Sequence, residues 1–121
     1  MTAIPPPTSI DDLAARLRAF AAERDWDQFH TPKNLAMAMA VEASEVLEHF
    51  QWLSESASAD LSPDKHAAVE AELADVFLYL VRLADRLGVD LVAAAGRKIV
   101  ENAAKYPVAL AKGSAKKYTE F

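Results

Sequence analysis

Apolar positions recur along this chain at three- and four-residue intervals, interrupted by capping residues and prolines. Leu13, Leu17, Phe20 and Ala21 fall on one face of a first helix. Thr8 or Ser9 caps it, Asp11 and Asp12 sit in its first turn, and it runs to about Arg24. A ring-rich loop, Asp25-Trp-Asp-Gln-Phe-His30, leads to Thr31, the cap of a second helix that has Pro32 at its first position and continues to about Trp52. After a polar stretch from Ser54 to Leu61, Ser62-Pro63-Asp64 opens a third helix, which ends near Leu87 with Gly88 as a left-handed cap. Asp90 caps a fourth helix ending before Pro107. An extended leader (residues 1–8) and an irregular basic tail (108–121) flank the four.

These elements predict one all-α domain spanning residues 1–121, a four-helix bundle. Leu35–Val41 and Val76–Val81 are apolar nearly all round, so both helices need covering on every side. A subunit of this size cannot cover them alone, which predicts helix packing between subunits, most simply in a symmetric homodimer.

Acidic residues interrupt this pattern twice. Glu42-Ala-Ser-Glu45 follows the run Leu35–Val41, and Glu72-Leu-Ala-Asp75 opens another in which Asp75 is the only charge as far as Val81. Positions three apart on a helix are neighbours, about 60° apart around the axis. An unpaired carboxylate in apolar surroundings is costly. Four of them on consecutive helices make sense around a hard divalent cation, Mg²⁺ or Mn²⁺. The alternative is two solvated stripes of salt bridges, which either pair alone would equally suggest. Trp52 returns to the Glu45 face after seven residues, and Tyr79 to the Asp75 face after four. Both rings read equally as core packing. Trp26, Phe29 and His30 either cover a planar group or plug the loop corner. Lys98 and Asn102, four apart, project a cation and an amide together, yet by spacing alone they read as an ordinary polar face.

Composition narrows the chemistry. Hydrophobic residues make up 52% and there is no cysteine, which removes thiol catalysis and cysteine-based zinc sites. No glutamate is followed by a histidine three residues on, so the di-iron bundle pattern fails. The net charge of −5 argues against a nucleic-acid binder. It averages a body of net −9 (residues 1–96) with an end of net +4 (97–121). That basic end suits a polyphosphate, or merely a solvated tail. No run approaches the ~20 apolar residues of a membrane span and the N-terminus lacks signal-peptide order, so a cytoplasmic location is expected.

At these residues the chain resembles the all-α nucleotide pyrophosphohydrolases of the MazG-like superfamily, in particular the dCTP pyrophosphatase branch. The resemblance runs from about Ser9 to the C-terminus, through Phe20–His30, the Glu42/Glu45 and Glu72/Asp75 pairs, Phe50-Gln-Trp52, Tyr79-Leu-Val81, Lys98–Asn102, Lys105-Tyr-Pro-Val108 and Gly113–Thr119. It implies hydrolysis of a (deoxy)nucleoside triphosphate, dCTP or a modified dCTP, to the monophosphate and pyrophosphate. It implies Mg²⁺ on Glu42, Glu45, Glu72 and Asp75, base recognition by Trp26, Trp52 and Tyr79, phosphate and sugar contacts from Lys98 and Asn102, and a homotetramer built as a dimer of dimers. Glu45 is the preferred candidate to orient or deprotonate the attacking water. The chain departs from the mammalian pattern at Leu17, where those members carry a histidine, so cytosine selectivity does not carry over with the reaction. Two alternatives remain at this point: a non-catalytic helical oligomerisation or interaction protein, and a related pyrophosphohydrolase acting on a different nucleotide.

Overall fold

The computed structural model describes residues 3–121, so Met1 and Thr2 of the expected leader lie outside the described residues. Helices α1 (Ile10–Glu23), α2 (Pro32–Glu48), α3 (Glu55–Ser58), α4 (Pro63–Leu87), α5 (Leu91–Lys105) and α6 (Val108–Ala111) follow one another, with a final 3₁₀ turn, Tyr118–Glu120. There is no strand among the described residues. The protein is all-α.

Local chemistry sets the helix starts. Side-chain oxygens of Ser9, Thr31, Ser62 and Asp90 accept the backbone N–H groups of Asp12, Asn34, Lys65 and Ala93 at 3.0–3.2 Å. Each satisfies an amide that the first helical turn leaves without a partner. Gly88 closes α4 at φ 68°, ψ 30°, where a Cβ would be strained. The leader is tied to α1 as well: Thr8 N–H donates to Asp12 at 3.0 Å, and the Arg16 side chain donates to the Pro5 and Pro6 carbonyls.

Three features differ from expectation. α2 stops at Glu48, not near Trp52. Tight backbone bonds coil the chain out of the helix there, Phe50 N–H to Leu47 and Leu53 N–H to Phe50, both 2.9 Å. Ser54 then caps the short α3 within the stretch expected to be merely polar. The tail is also more ordered than expected, holding α6 and the 3₁₀ turn.

The chain forms two compact units, one ending at Gly88 and the other spanning Val89–Phe121. In the first, α4 packs against both α2 and α1. Ala14 and Ala21 of α1, Leu35 of α2, and Val69, Val81 and Ala84 of α4 are buried. Large apolar side chains remain exposed on the two longest helices, including Met37, Val41 and Leu47 on α2 and Leu73 and Phe77 on α4. In the second unit, Tyr106 meets Tyr118 and Phe121 edge-on, each 6.0 Å between ring centroids, and Lys105 lies 5.0 Å over the Tyr118 ring. Those aromatic contacts hold the tail against the end of α5.

Candidate metal centre and adjoining cavity

The packing of α2 on α4 brings carboxylates together across the helix pair. Glu42 and Glu45 from α2 and Glu72 from α4 each offer an oxygen within 4.8 Å of the others. One oxygen of Glu42 (Oε2) and one of Glu72 (Oε2) are buried and have no hydrogen-bond partner. Orphaned buried carboxylate oxygens are rare, because each forfeits its hydration without replacement.

The protonation of the cluster reflects the same crowding. A hydrogen bond with the Glu45 carboxyl, then burial, then the charges of Glu45, Asp75 and Glu72, push Glu42 up to about 7. Glu72 is raised by the same hydrogen-bonding neighbour, by burial and by the charges of Glu45 and Asp75, with His49 opposing. Glu45 is thus the hub of the group. His49 is half-buried and its charge acts on Glu72. Three crowded oxygen donors, two of them lacking partners, suit a hard divalent cation.

Asp75 lies outside the close trio. It is exposed, its charge raises both Glu42 and Glu72, and it lines a cavity of about 160 Å³. Leu17, Phe20, Trp26 and Leu78 form the apolar wall of that cavity, while His30, Tyr79 and Arg82 share its polar side with Asp75. Phe20 and Trp26 meet edge-on at 5.7 Å. Trp26, Tyr79 and Asp75, singled out separately from the sequence, therefore face one space. Leu17 lines the same space.

Trp52 does not join them. Its expected position rested on helical continuation from Glu45. With α2 ending at Glu48, the indole sits on the following turn, 87% exposed. Lys98 and Asn102 lie on α5 in the second unit, where Lys98 Nζ pairs with Glu101 at 3.0 Å and both residues are exposed. The Asn102 carbonyl accepts the N–H of Tyr106 at 2.8 Å.

Sequence reasoning passed over Arg82, which is 4% exposed and donates to Asp27 at 2.7 Å and to His30 at 3.1 Å. The available signal was its register: seven residues after Asp75, it returns to the same face of α4.

The sequence profile of the MazG-like family matches residues 37–121, a span that includes all four carboxylates. The chain belongs to the MazG-like family. Its similarity to proteins named dCTP pyrophosphatase 1 reaches 46% identity over 117 residues in both Rattus norvegicus and Homo sapiens, covering 95% of this chain and 69% of each relative. Among solved structures, it is similar to a pyrophosphatase from Archaeoglobus fulgidus, with a TM-score of 0.78 and 36% identity over 88% of this chain and 99% of that one. The MazG-like match and the carboxylate cluster thus fall on the same residues.

Proposed function

We propose that this chain is a nucleoside triphosphate pyrophosphohydrolase that cleaves dCTP, or a modified dCTP, to the monophosphate and pyrophosphate. The observation that carries the reading is the trio Glu42, Glu45 and Glu72, with two buried oxygens lacking partners, joined through Asp75 to an aromatic-walled cavity. In a purely structural helical protein, three carboxylates this crowded would be a cost relieved only by taking up protons.

Glu42, Glu45 and Glu72 would hold Mg²⁺ (or Mn²⁺), with Asp75 completing the acidic set. When bound, the cation neutralises triphosphate charge and acidifies a water molecule. Glu45, central among the carboxylates, orients the attacking water and accepts its proton as the oxygen adds to the α-phosphorus. The α–β anhydride bond breaks in line, and pyrophosphate leaves. Trp26 and Tyr79 wall the base, stacking being tolerant of base identity. Trp52 is an additional proposed base contact, its indole free on the turn after α2. Lys98 and Asn102 are the proposed phosphate and sugar contacts, supported by their exposure on α5.

The apolar side chains left open on α2 and α4 support a homo-oligomer, and a tetramer made of two dimers is the assembly we favour. No helix is long and apolar enough to cross a membrane. A cytoplasmic location suits a nucleoside triphosphate substrate and is part of the same proposal.

The test is a panel of the eight common ribo- and deoxyribonucleoside triphosphates with Mg²⁺, scored for monophosphate plus pyrophosphate. Release of orthophosphate instead would exclude α–β cleavage.

A further inference from the structure

Arg82 is the one buried polar or charged residue among the described residues, and its guanidinium is directed to the loop before α2. Nη2 donates to Asp27 Oδ1 at 2.7 Å, and Nε donates to His30 Nδ1 at 3.1 Å. Asp85, at 3.7 Å from Nη1, adds a second carboxylate, which Arg18 also holds at 2.5 Å. From the next turn, Arg86 Nε donates to the His30 carbonyl at 3.1 Å.

That arrangement decides the state of the imidazole. A guanidinium has no acceptor, so Nδ1 must receive the bond and cannot carry a proton. The single proton of the neutral ring is then on Nε2. Burial first, then the positive charge of Arg82, hold His30 below its ordinary range, with Asp27 opposing and Arg86 adding to the depression. Nε2 has no partner among the described residues, and the ring lines the cavity, 6.1 Å from the Trp26 ring.

We propose that His30 is a specificity-determining residue of this cavity, a fixed hydrogen-bond donor to an acceptor on the edge of a nucleobase, with Arg82 and Asp27 as the positioning residues that set its polarity. The proposal deepens the nucleotide reading above and rests on it. It also gives that reading a direction. Cytosine offers its ring nitrogen N3 as an acceptor, whereas thymine and uracil carry a proton there. A donor that cannot reverse accepts the first and meets the second donor to donor. Sites built on such a bond discriminate far more sharply than apolar ones, because a mismatch leaves buried polar groups unpaired.

Two substitutions separate polarity from packing. In His30→Phe the ring remains and the donor is gone, so the ratio of kcat/KM for dCTP over dTTP should fall by about ten-fold or more. In His30→Gln the side-chain amide can rotate to present either its N–H or its carbonyl. That variant should retain dCTP turnover better than the Phe variant and gain on dTTP. Nitrogen NMR of labelled histidine in the full chain should place the wild-type His30 proton on Nε2 at neutral pH. Arg82→Met, which keeps an unbranched side chain but removes the donor to Nδ1, should populate the other tautomer and lower the same ratio.

A ratio unchanged in both His30 variants, or a wild-type proton found on Nδ1, overturns the proposal while leaving pyrophosphohydrolysis intact. An unchanged tautomer and ratio in Arg82→Met would overturn the role given to Arg82. Wild-type protein that cleaves no triphosphate with Mg²⁺ would sink the nucleotide reading and this proposal together.

Discussion

Glu45 differs from its neighbours in what depends on it: its carboxyl is the leading cause of the raised proton affinity of both Glu42 and Glu72. If it positions and deprotonates the water, Glu45→Gln should cut kcat by about 10²-fold or more while weakening Mg²⁺ binding much less. Near-normal turnover in that variant would move the base role to another member of the group. A second expectation follows from Glu42, whose pKa is raised from 4.5 to about 7. A group that holds its proton more tightly when folded contributes stability that is fully present below pH 4.5 and is lost as pH rises through about 7. In EDTA, the wild type should therefore lose melting temperature between pH 5 and pH 8, and Glu42→Gln, which cannot titrate, should flatten the fall. Mg²⁺ competes with that proton, so its stabilising shift should be larger at pH 8 than at pH 5. A magnesium shift equal at both pH values would speak against these carboxylates as the ligands.

At the scale of the helix, the side-chain caps are worth less than the core residues, and the two can be compared directly. Ser62→Ala removes one capping bond at the start of α4 and should cost about 1 kcal/mol. Leu35→Ala empties a site that is 1% exposed and should cost roughly 2–5 kcal/mol in chemical denaturation. The helix starts were legible in the sequence because a cap is local chemistry, decided by a residue and the amide three positions on. Thr31-Pro32 and Ser62-Pro63 could be read without any tertiary knowledge. The end of α2 could not. No proline or glycine lies between His49 and Leu53, so nothing local marked the stop, and Trp52 was carried onto a helical face that does not extend to it. The carboxylates were legible for the opposite reason: their i,i+3 spacing fixes each pair before the helices meet. That Glu42, Glu45 and Glu72 close up while Asp75 turns to the cavity depends on how α2 lies on α4, which spacing does not encode. Arg82 meets His30 across 52 residues and Asp27 across 55, so only folding reveals that network.

For the molecule as a whole, the unresolved demand is apolar surface. Met37 is 52% exposed and Leu47 58% on α2, and α4 leaves Leu73 and Phe77 open as well. Solvent-facing apolar residues scattered singly need no explanation, but here they accumulate along the two helices that also carry the carboxylates. If they are simply solvated, Met37→Lys with Leu47→Lys should change stability by little more than about 0.5 kcal/mol per site. If a second copy covers them, the same pair buries two unpaired ammonium groups and the assembly should fall apart. Light scattering after gel filtration separates the two cases: the wild type should elute as an oligomer whose melting temperature rises with protein concentration, and the double variant as a smaller species without that dependence. A wild type of monomer mass at every concentration would refute the assembly and leave α2 and α4 with an apolar face to explain. A smaller double variant that also loses triphosphate cleavage, with its helicity intact, would show that catalysis depends on the assembly. Met37 and Leu47 both lie on α2 outside the carboxylate trio, so with helicity intact the lost contact between copies is the route by which such a loss reaches the site.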